Sequence, residues 1–294
     1  MSLPKFTYLA PDSLEEACQL LANHQGTIKI KAGGTDLMVR LAQHALKPAY
    51  LMALGKIPGL AEVSYTPTAG LKLGAMALLA EVVNNPAIQE HYPMLARAAN
   101  ATATVQIRNM GTVMGNVCNA SPSADNIPSL MVHGASIKTI SANGEREIPL
   151  SEFFLGPGRT ALESGEIATA ILVPPLPASS GVSYQKISRR SKVDIAAVNV
   201  AAMLQLDADG TCQQARICLG AVGPTPLQAT KTAAFLQGKA LHSETIEEAG
   251  ELAAGEASPI SDVRASKEYR KLMVAVLTKR ALSEACHLAT GTKS

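Results

Sequence analysis

The stretch that decides the fold reads TIKIKAGGTDLMVRL and runs from Thr27 to Leu41. Its β-branched start predicts a short strand, the Gly33-Gly34 pair predicts a turn, and the residues from Asp36 onward have helical composition. A strand, a glycine turn and a helix start together offer backbone N–H donors and a positive dipole end, which favour a phosphate. The stretch fits neither the G-x-G-x-x-G fingerprint nor the phosphate loop ending in Gly-Lys-Ser/Thr. An ordinary strand-to-helix connection, in which glycine supplies a positive φ, is the alternative.

A second turn of the same kind, Thr112-Val113-Met114-Gly115-Asn116, lies within the block from Gln106 to Asp125. Taken with the first turn, this block resembles the FAD-binding medium subunit of the molybdenum hydroxylases. That family includes bacterial xanthine dehydrogenases, carbon monoxide dehydrogenase, and aldehyde or N-heterocycle dehydrogenases. The stretches YQKISRR (184–190) and SDVRASKEYR (261–270) resemble later blocks of the same family. Four blocks in the same order are far more specific than any one of them.

The resemblance implies an α+β fold, in which a two-part FAD-binding domain of the PCMH type precedes a smaller α+β domain of the CO dehydrogenase flavoprotein type. We expect a first FAD-binding subdomain at residues 1–56, a second at 57–175, and the C-terminal domain at 176–294. The second subdomain ends at Pro174-Pro175-Leu176-Pro177 because consecutive prolines break regular structure.

The resemblance also implies where FAD binds. Residues 30–37 would line the diphosphate, and the second turn would close over it. Asp125 would accept hydrogen bonds from ribitol or ribose hydroxyls, Lys186 would stabilise the anionic reduced flavin through its charge, and Ile195 would cover one ring face. The alternatives are a turn residue for Asp125, a solvated strand lysine for Lys186 and a core residue for Ile195. The implied cofactor-binding residues are Ile30, Lys31, Ala32, Gly33, Gly34, Thr35, Asp36, Leu37, Thr102, Thr112, Val113, Gly115, Asn116, Asn119, Asp125, Lys186 and Ile195.

Two positions depart from the family pattern. The family has Gly-Gly-Asn where this chain has Met114-Gly115-Asn116, so a side chain occupies a place where backbone is expected to approach the phosphate. Thr102 stands where the animal xanthine oxidoreductases carry an aromatic residue that stacks on the flavin. Loss of that stack leaves one face of the ring less defined.

By resemblance, the chain is a noncovalent FAD-binding electron-transfer subunit. A large partner subunit would hydroxylate the substrate at a molybdenum cofactor, and two [2Fe-2S] clusters on a small subunit would pass the electrons to the flavin. The reduced flavin would then deliver them to NAD or another acceptor, and a dimer of heterotrimers is expected. This chain would contribute no catalytic residue to hydroxylation and no metal ligand.

Two other functions are compatible with the same sequence. One is a stand-alone, noncovalent flavoprotein oxidase or dehydrogenase with the same FAD-binding fold; neither turn contains a histidine for covalent attachment. The other is a flavin-free scaffold subunit, for which Met114 is the only support.

Composition limits the function classes further. The 294 residues are 47% hydrophobic and 17% charged, which is typical of a globular protein, and the net charge of +2 favours neither a nucleic-acid nor a membrane partner. Without an apolar leader or a membrane-length apolar run, we expect a cytoplasmic protein. The five cysteines form no C-x-x-C pair and the six histidines no H-E-x-x-H motif, so a metal or cluster site on this chain is not expected.

Local patterns predict several elements. A helix follows a cap at Asp12 or Ser13, a further alanine-rich helix runs from Met94 to Thr104, and a hairpin turns at Asn143-Gly144. Apolar-rich strands are expected from Ile195 to Leu206 and from Cys212 to Val222. In the last helix a stripe at helical spacing is expected to face the core: Tyr269, Leu272, Met273, Val276 and Leu277.

Overall fold

The first sheet is parallel and contains the strand that leads into the glycine turn. The structure is a computed structural model that describes residues 3–190 and 193–291. Strands β1 (Thr7–Leu9), β2 (Ile28–Lys31) and β3 (Tyr50–Ala53) pair in the order β1-β3-β2. Helices α1 (Leu14–Asn23) and α2 (Leu37–Ala42) make the crossovers that parallel strands require. Ser13 confirms the predicted cap, since its Oγ accepts a hydrogen bond from Glu16 N at 3.1 Å.

The second sheet has five antiparallel strands. They are β4 (Val63–Thr66), β5 (Gly70–Gly74), β6 (Ser136–Ser141), β7 (Gly144–Pro149) and β10 (Ile167–Val173), and the spatial order is β4-β5-β10-β6-β7. A separate short hairpin joins β8 (Phe154–Gly156) to β9 (Arg159–Thr160). The predicted hairpin at Asn143-Gly144 is confirmed, because β6 and β7 pair with Ser141 opposite Gly144.

Short helices connect these strands and carry the second turn. They are α3 (Leu79–Asn84), α4 (Pro86–His91), α5 (Pro93–Asn100), α6 (Val105–Arg108), α7 (Val113–Cys118) and α8 (Asn126–Val132), with a 3-10 turn at Leu150–Glu152. The helix predicted from Met94 to Thr104 therefore ends at Asn100. Ala103 has a φ of +47°, and the Arg108 guanidinium binds the carbonyls of Thr102 and Ala103 at 3.1 and 2.8 Å. This turn directs Thr102 toward the site described below.

The C-terminal part is an antiparallel sheet covered by helices. Strands β11 (Ser180–Ser188), β12 (Ala196–Leu206), β13 (Cys212–Gly220) and β14 (Leu227–Gln228) pair in sequence order, and α9 (Thr230–Leu236), α10 (Ser243–Glu256) and α11 (Lys267–Ala289) follow. Strands β12 and β13 confirm the two predicted apolar strands. Two buried clusters make the cores: one runs through the first two sheets and reaches Tyr184 of β11, and the other lies under the C-terminal sheet. The division at residues 56 and 175 stays a prediction.

The predicted core stripe of the last helix is confirmed only in part: Leu277 is 2% exposed and Met273 packs against the core. Tyr269 is 42% exposed and Leu272 is 59% exposed, whereas Val274, Ala281 and the other buried residues of α11 lie on the adjacent face. The buried face also carries Arg270, whose guanidinium donates to the backbone carbonyls of Ala197 and Ala221, so a charged residue belongs to the core face that an apolar pattern cannot reveal. Among the described residues, no helix is both long and apolar enough to span a membrane.

Candidate functional site

A cavity of about 660 Å³ lies between the loop after β2, the segment from Thr102 to Asp125, and the residues just before β12. This volume is within the usual range for small-molecule and cofactor sites. All but two of the implied cofactor-binding residues line it: Ile30, Lys31, Ala32, Gly33, Gly34, Thr35, Asp36, Leu37, Thr102, Thr112, Gly115, Asn116, Asn119, Asp125 and Ile195. The exceptions are Val113, which is buried in the core, and Lys186, which lies behind the wall in an ion pair.

The two glycines of the first loop have different structural tasks. Gly34 has a φ of +80°, so it supplies the left-handed conformation that an ordinary strand-to-helix turn requires. A Cβ added to Gly33 would lie 2.0 Å from the carbonyl oxygen of Met110 and 2.9 Å from the Cα of Gly111. Gly33 is therefore needed because the backbone of a second loop packs directly against it.

The first loop leaves a row of backbone donors without protein partners. In the described ranges, the N–H groups of Gly33, Gly34, Thr35 and Asp36 make no hydrogen bond to the protein. The carbonyl of Gly34, in contrast, accepts from Met38 N at 2.9 Å as α2 begins. Free backbone N–H groups bind an acceptor supplied by a ligand, and four successive ones are well suited to an anion.

The second turn is the capped start of a helix. Thr112 Oγ1 accepts a hydrogen bond from Gly115 N at 2.9 Å, and a Cβ on Gly115 would lie 2.8 Å from that oxygen. Gly115 is thus required by the cap. Met114, the departure from the family pattern, is only 3% exposed and packs in the core, although it also borders the cavity beside Gly115 and Asn116.

Asp125 and Lys186 form a buried ion pair at the cavity wall. Lys186 Nζ lies 2.8 Å from Asp125 Oδ2 and also donates to the carbonyl of Ala101 at 2.8 Å. The Tyr184 hydroxyl donates a hydrogen bond to Asp125 Oδ1 at 2.8 Å. Asn199 Nδ2 approaches the same oxygen at 3.4 Å. The positive charge of Lys186, which was predicted to act on the flavin, is thus balanced by the Asp125 carboxylate. Asp125 in turn already accepts hydrogen bonds from both Lys186 and Tyr184.

Burial shapes the titration of this cluster. Desolvation raises the pKa of Asp125 above its usual range, although Lys186, Tyr184 and Asn199 each act in the opposite direction. Desolvation, reinforced by Asp125, also raises the pKa of Tyr184, so the phenol keeps its proton. The buried carboxylate of Asp125 and the buried ammonium of Lys186 therefore each depend on the other for a partner.

A second charged pair, Arg146 with Glu166, supports another part of the cavity wall. Arg146 binds Glu166 through both Nε and Nη2 at 2.6 Å, and Glu166 also accepts from Thr139 Oγ1 at 3.0 Å and from Glu163 N at 2.6 Å. Glu166 lines the cavity, and its contacts fix the turn that precedes β10. The sequence analysis missed this pair because no motif joins two residues that meet only when β7 and β10 share a sheet.

This pair predicts a specific acid dependence. The Arg146 guanidinium lowers the pKa of Glu166 from 4.5 to about 2, so the pair stabilises the fold above pH 4.5 and loses that contribution as the pH falls toward 2. Glu166→Gln should reduce the free energy of unfolding at neutral pH, and its difference from wild type should shrink across that acid window. Chemical unfolding at a series of pH values measures it. Exposed Glu152→Gln is the control; a constant difference for Glu166→Gln would contradict the assignment.

The charges along the cavity are unevenly balanced. Three of the four carboxylates of the lining are paired: Asp125 with Lys186, Glu166 with Arg146, and Asp194 with Arg190. Among the described residues, the fourth, Asp36, forms no ion pair. In the part of the chain that the structure describes, the three lining cations Lys29, Lys31 and Arg40 form no ion pair. Sequence analysis missed Lys29 and Arg40, although both flank the glycine turn. Three unpaired cations against the single unpaired carboxylate of Asp36 leave the loop end of the cavity positive.

Comparisons with known proteins agree with this geometry. Residues 4–176 match the family described as the FAD binding domain in molybdopterin dehydrogenase, and residues 183–285 match the CO dehydrogenase flavoprotein C-terminal domain. The chain belongs to this family, and it is an FAD-binding subunit of a xanthine dehydrogenase or CO dehydrogenase type of oxidoreductase. The predicted α+β architecture, with its two successive domain types, is confirmed.

Individual relatives cover nearly the whole chain. The putative xanthine dehydrogenase FAD-binding subunit of Escherichia coli is 31% identical over 97% of both chains. The nicotine 6-hydroxylase medium subunit of Paenarthrobacter nicotinovorans is 33% identical over 97% of this chain and 99% of its own. The solved carbon monoxide dehydrogenase of Hydrogenophaga pseudoflava has a TM-score of 0.93 at 32% identity, with 97% of this chain and 98% of that chain covered.

The residues present fit FAD. Its pyrophosphate requires hydrogen-bond donors and positive charge, which the unpartnered N–H groups and the unpaired Lys29, Lys31 and Arg40 provide at one end of the cavity. The remaining wall mixes apolar groups such as Leu162 and Ile167 with the balanced charge pairs. Such a wall suits a flat, mostly uncharged ring system.

Proposed function

We propose that this chain binds FAD noncovalently in the cavity and passes electrons from the [2Fe-2S] clusters of a partner subunit to NAD or another acceptor. The observation that carries the proposal is the loop after β2, where four successive N–H groups without protein partners adjoin three unpaired cations. This combination matches a pyrophosphate better than any uncharged ligand.

The chain would hold the cofactor from two sides. Residues 30–37 supply backbone donors to the pyrophosphate, with Thr35 adding a hydroxyl and Lys29 and Arg40 adding charge. Thr112, Gly115, Asn116 and Asn119 face it across the cavity. Because Gly33 packs on the backbone of the facing loop, the two sides are held at a fixed separation.

When bound, FAD supplies a centre that accepts electrons and releases them again. The residues of this chain orient that centre and set the charges around it. The pair of Asp125 and Lys186 brings no net charge to the wall, so its influence on the flavin is that of a dipole rather than of a free cation. Ile195 is 52% exposed at the rim, where it would limit the approach of an acceptor.

The same proposal includes the partners. Several relatives are called medium subunits or medium chains, which supports a complex with a small and a large subunit. In this assembly the large subunit hydroxylates the substrate at a molybdenum cofactor, and the small subunit carries two [2Fe-2S] clusters. The proposed complex is a dimer of heterotrimers in the cytoplasm.

Removing FAD from the assembled complex tests the electron path. Reduction of NAD or of an artificial acceptor should stop, whereas the substrate should still bleach the iron–sulfur clusters, because hydroxylation occurs on another subunit. Adding FAD back should restore acceptor reduction. The proposal fails if cluster reduction by the substrate also disappears in a complex that retains its molybdenum cofactor.

A further inference from the structure

Asn126, the first residue of α8, lies behind the cavity wall and is only 3% exposed. Its Nδ2 donates to Thr102 Oγ1 at 3.2 Å and to Asn116 Oδ1 at 3.1 Å. Thr102 and Asn116 both line the cavity, whereas Asn126 does not. Asn126 therefore connects two residues of the wall from the protein side.

The direction of each hydrogen bond in this network is determined by chemistry. Thr102 Oγ1 donates its proton to the carbonyl of Ala98 at 2.9 Å, and a carbonyl can only accept. Toward Asn126 the hydroxyl can then only accept, so Asn126 must present its NH₂ group. The same NH₂ group faces Asn116, so Asn116 must present its Oδ1. The orientations of the Asn126 and Asn116 side-chain amides therefore both follow from the hydrogen bond that Thr102 donates to the carbonyl of Ala98.

The consequence appears on the cavity side. With its Oδ1 held by Asn126, Asn116 has an Nδ2 that donates to no protein group within residues 3–190 and 193–291. We propose that Asn126 is a positioning residue that fixes the Asn116 amide, so that Asn116 offers a hydrogen-bond donor to an oxygen atom of the bound cofactor. The inference rests on the proposed function, because it requires FAD in this cavity.

A double-mutant cycle on FAD affinity separates positioning from a merely structural role. Asn116→Ala should raise the Kd for FAD by roughly tenfold, the value of one hydrogen bond to a cofactor oxygen. Asn126→Ala should raise it by about twofold to fivefold, because the Asn116 amide then spends at least half of its time in orientations that do not offer the donor. If Asn126 acts through Asn116, the double variant should bind FAD like Asn116→Ala alone.

The controls make each outcome decisive. Asn126→Leu keeps the branched four-atom shape of the side chain without its polar atoms, and it repeats the cycle if the alanine variant loses its fold. Exposed Asn143→Ala should leave the Kd unchanged. The inference is overturned if Asn126→Ala leaves the Kd unchanged, or if it weakens binding equally with and without the Asn116 side chain. No FAD binding by the wild-type chain would instead refute the proposed function.

Discussion

Replacing Gly33 with alanine is expected to abolish FAD binding while most of the chain stays folded. The new Cβ would lie 2.0 Å from the carbonyl oxygen of Met110, so one of the two packed loops must move. Overpacking of this kind costs roughly 1–3 kcal/mol, and the displaced N–H groups would no longer converge on a pyrophosphate. The measurement is the flavin content per folded chain after purification in excess FAD.

Gly255→Ala is the matched control. Gly255 lies in α10, and a Cβ there would meet no atom within 4 Å. Since alanine is favoured over glycine in a helix by about 0.5–1 kcal/mol, this variant should keep its flavin and have an equal or slightly higher Tm. If Gly33→Ala also keeps wild-type flavin content and Tm, the loops do not pack as described.

Lys186→Met is expected to destabilise the fold by about 3–5 kcal/mol, the usual result of leaving one member of a buried ion pair without its partner. Lys186 and Asp125 both have side chains that are less than one-tenth exposed, at 7% and 9%. Without the lysine, the pKa of Asp125 rises further, because desolvation is no longer opposed by the ammonium group. Chemical unfolding of wild type and variant measures the loss.

The pH dependence and a second substitution identify the cause. A carboxyl whose pKa is higher in the folded state stabilises the fold at low pH and loses that contribution as the pH rises. The loss in Lys186→Met should therefore be smaller in mildly acid than in mildly alkaline solution. Asp125→Asn in the same chain should recover most of the stability, since the amide can still accept from Tyr184. A pH-independent loss that Asp125→Asn does not reduce would show that lost packing is responsible.

The sequence predicts those parts of the fold that depend on contacts between residues close together in the chain. The cap at Ser13 and the hairpin at Asn143-Gly144 rest on contacts within a few positions, and both are present. The cavity lining was largely predictable as well, because the residues of each glycine turn are consecutive. The resemblance to a family joined the two turns into one site, which composition and periodicity did not do.

Interactions between distant segments were not predictable from local pattern. Asp125 and Lys186 are 61 positions apart and were assigned separate contacts with FAD, although they bind each other. The predicted core stripe of α11 includes the buried Leu277 but is only partly correct, because helical spacing gives a period but not which face packs on the sheet. Tyr269 and Leu272 belong to that period and are nevertheless exposed, while Arg270 is buried.

The most direct measurement is an equilibrium titration of the cofactor-free chain with FAD, followed by the change in flavin fluorescence and visible absorbance. We expect saturable binding of one FAD for each chain in the wild type and in Gly255→Ala, and none in folded Gly33→Ala. Saturable binding that is unaffected by Gly33→Ala would place FAD elsewhere on the chain. Absence of binding to the folded wild-type chain would show that this protein does not hold FAD.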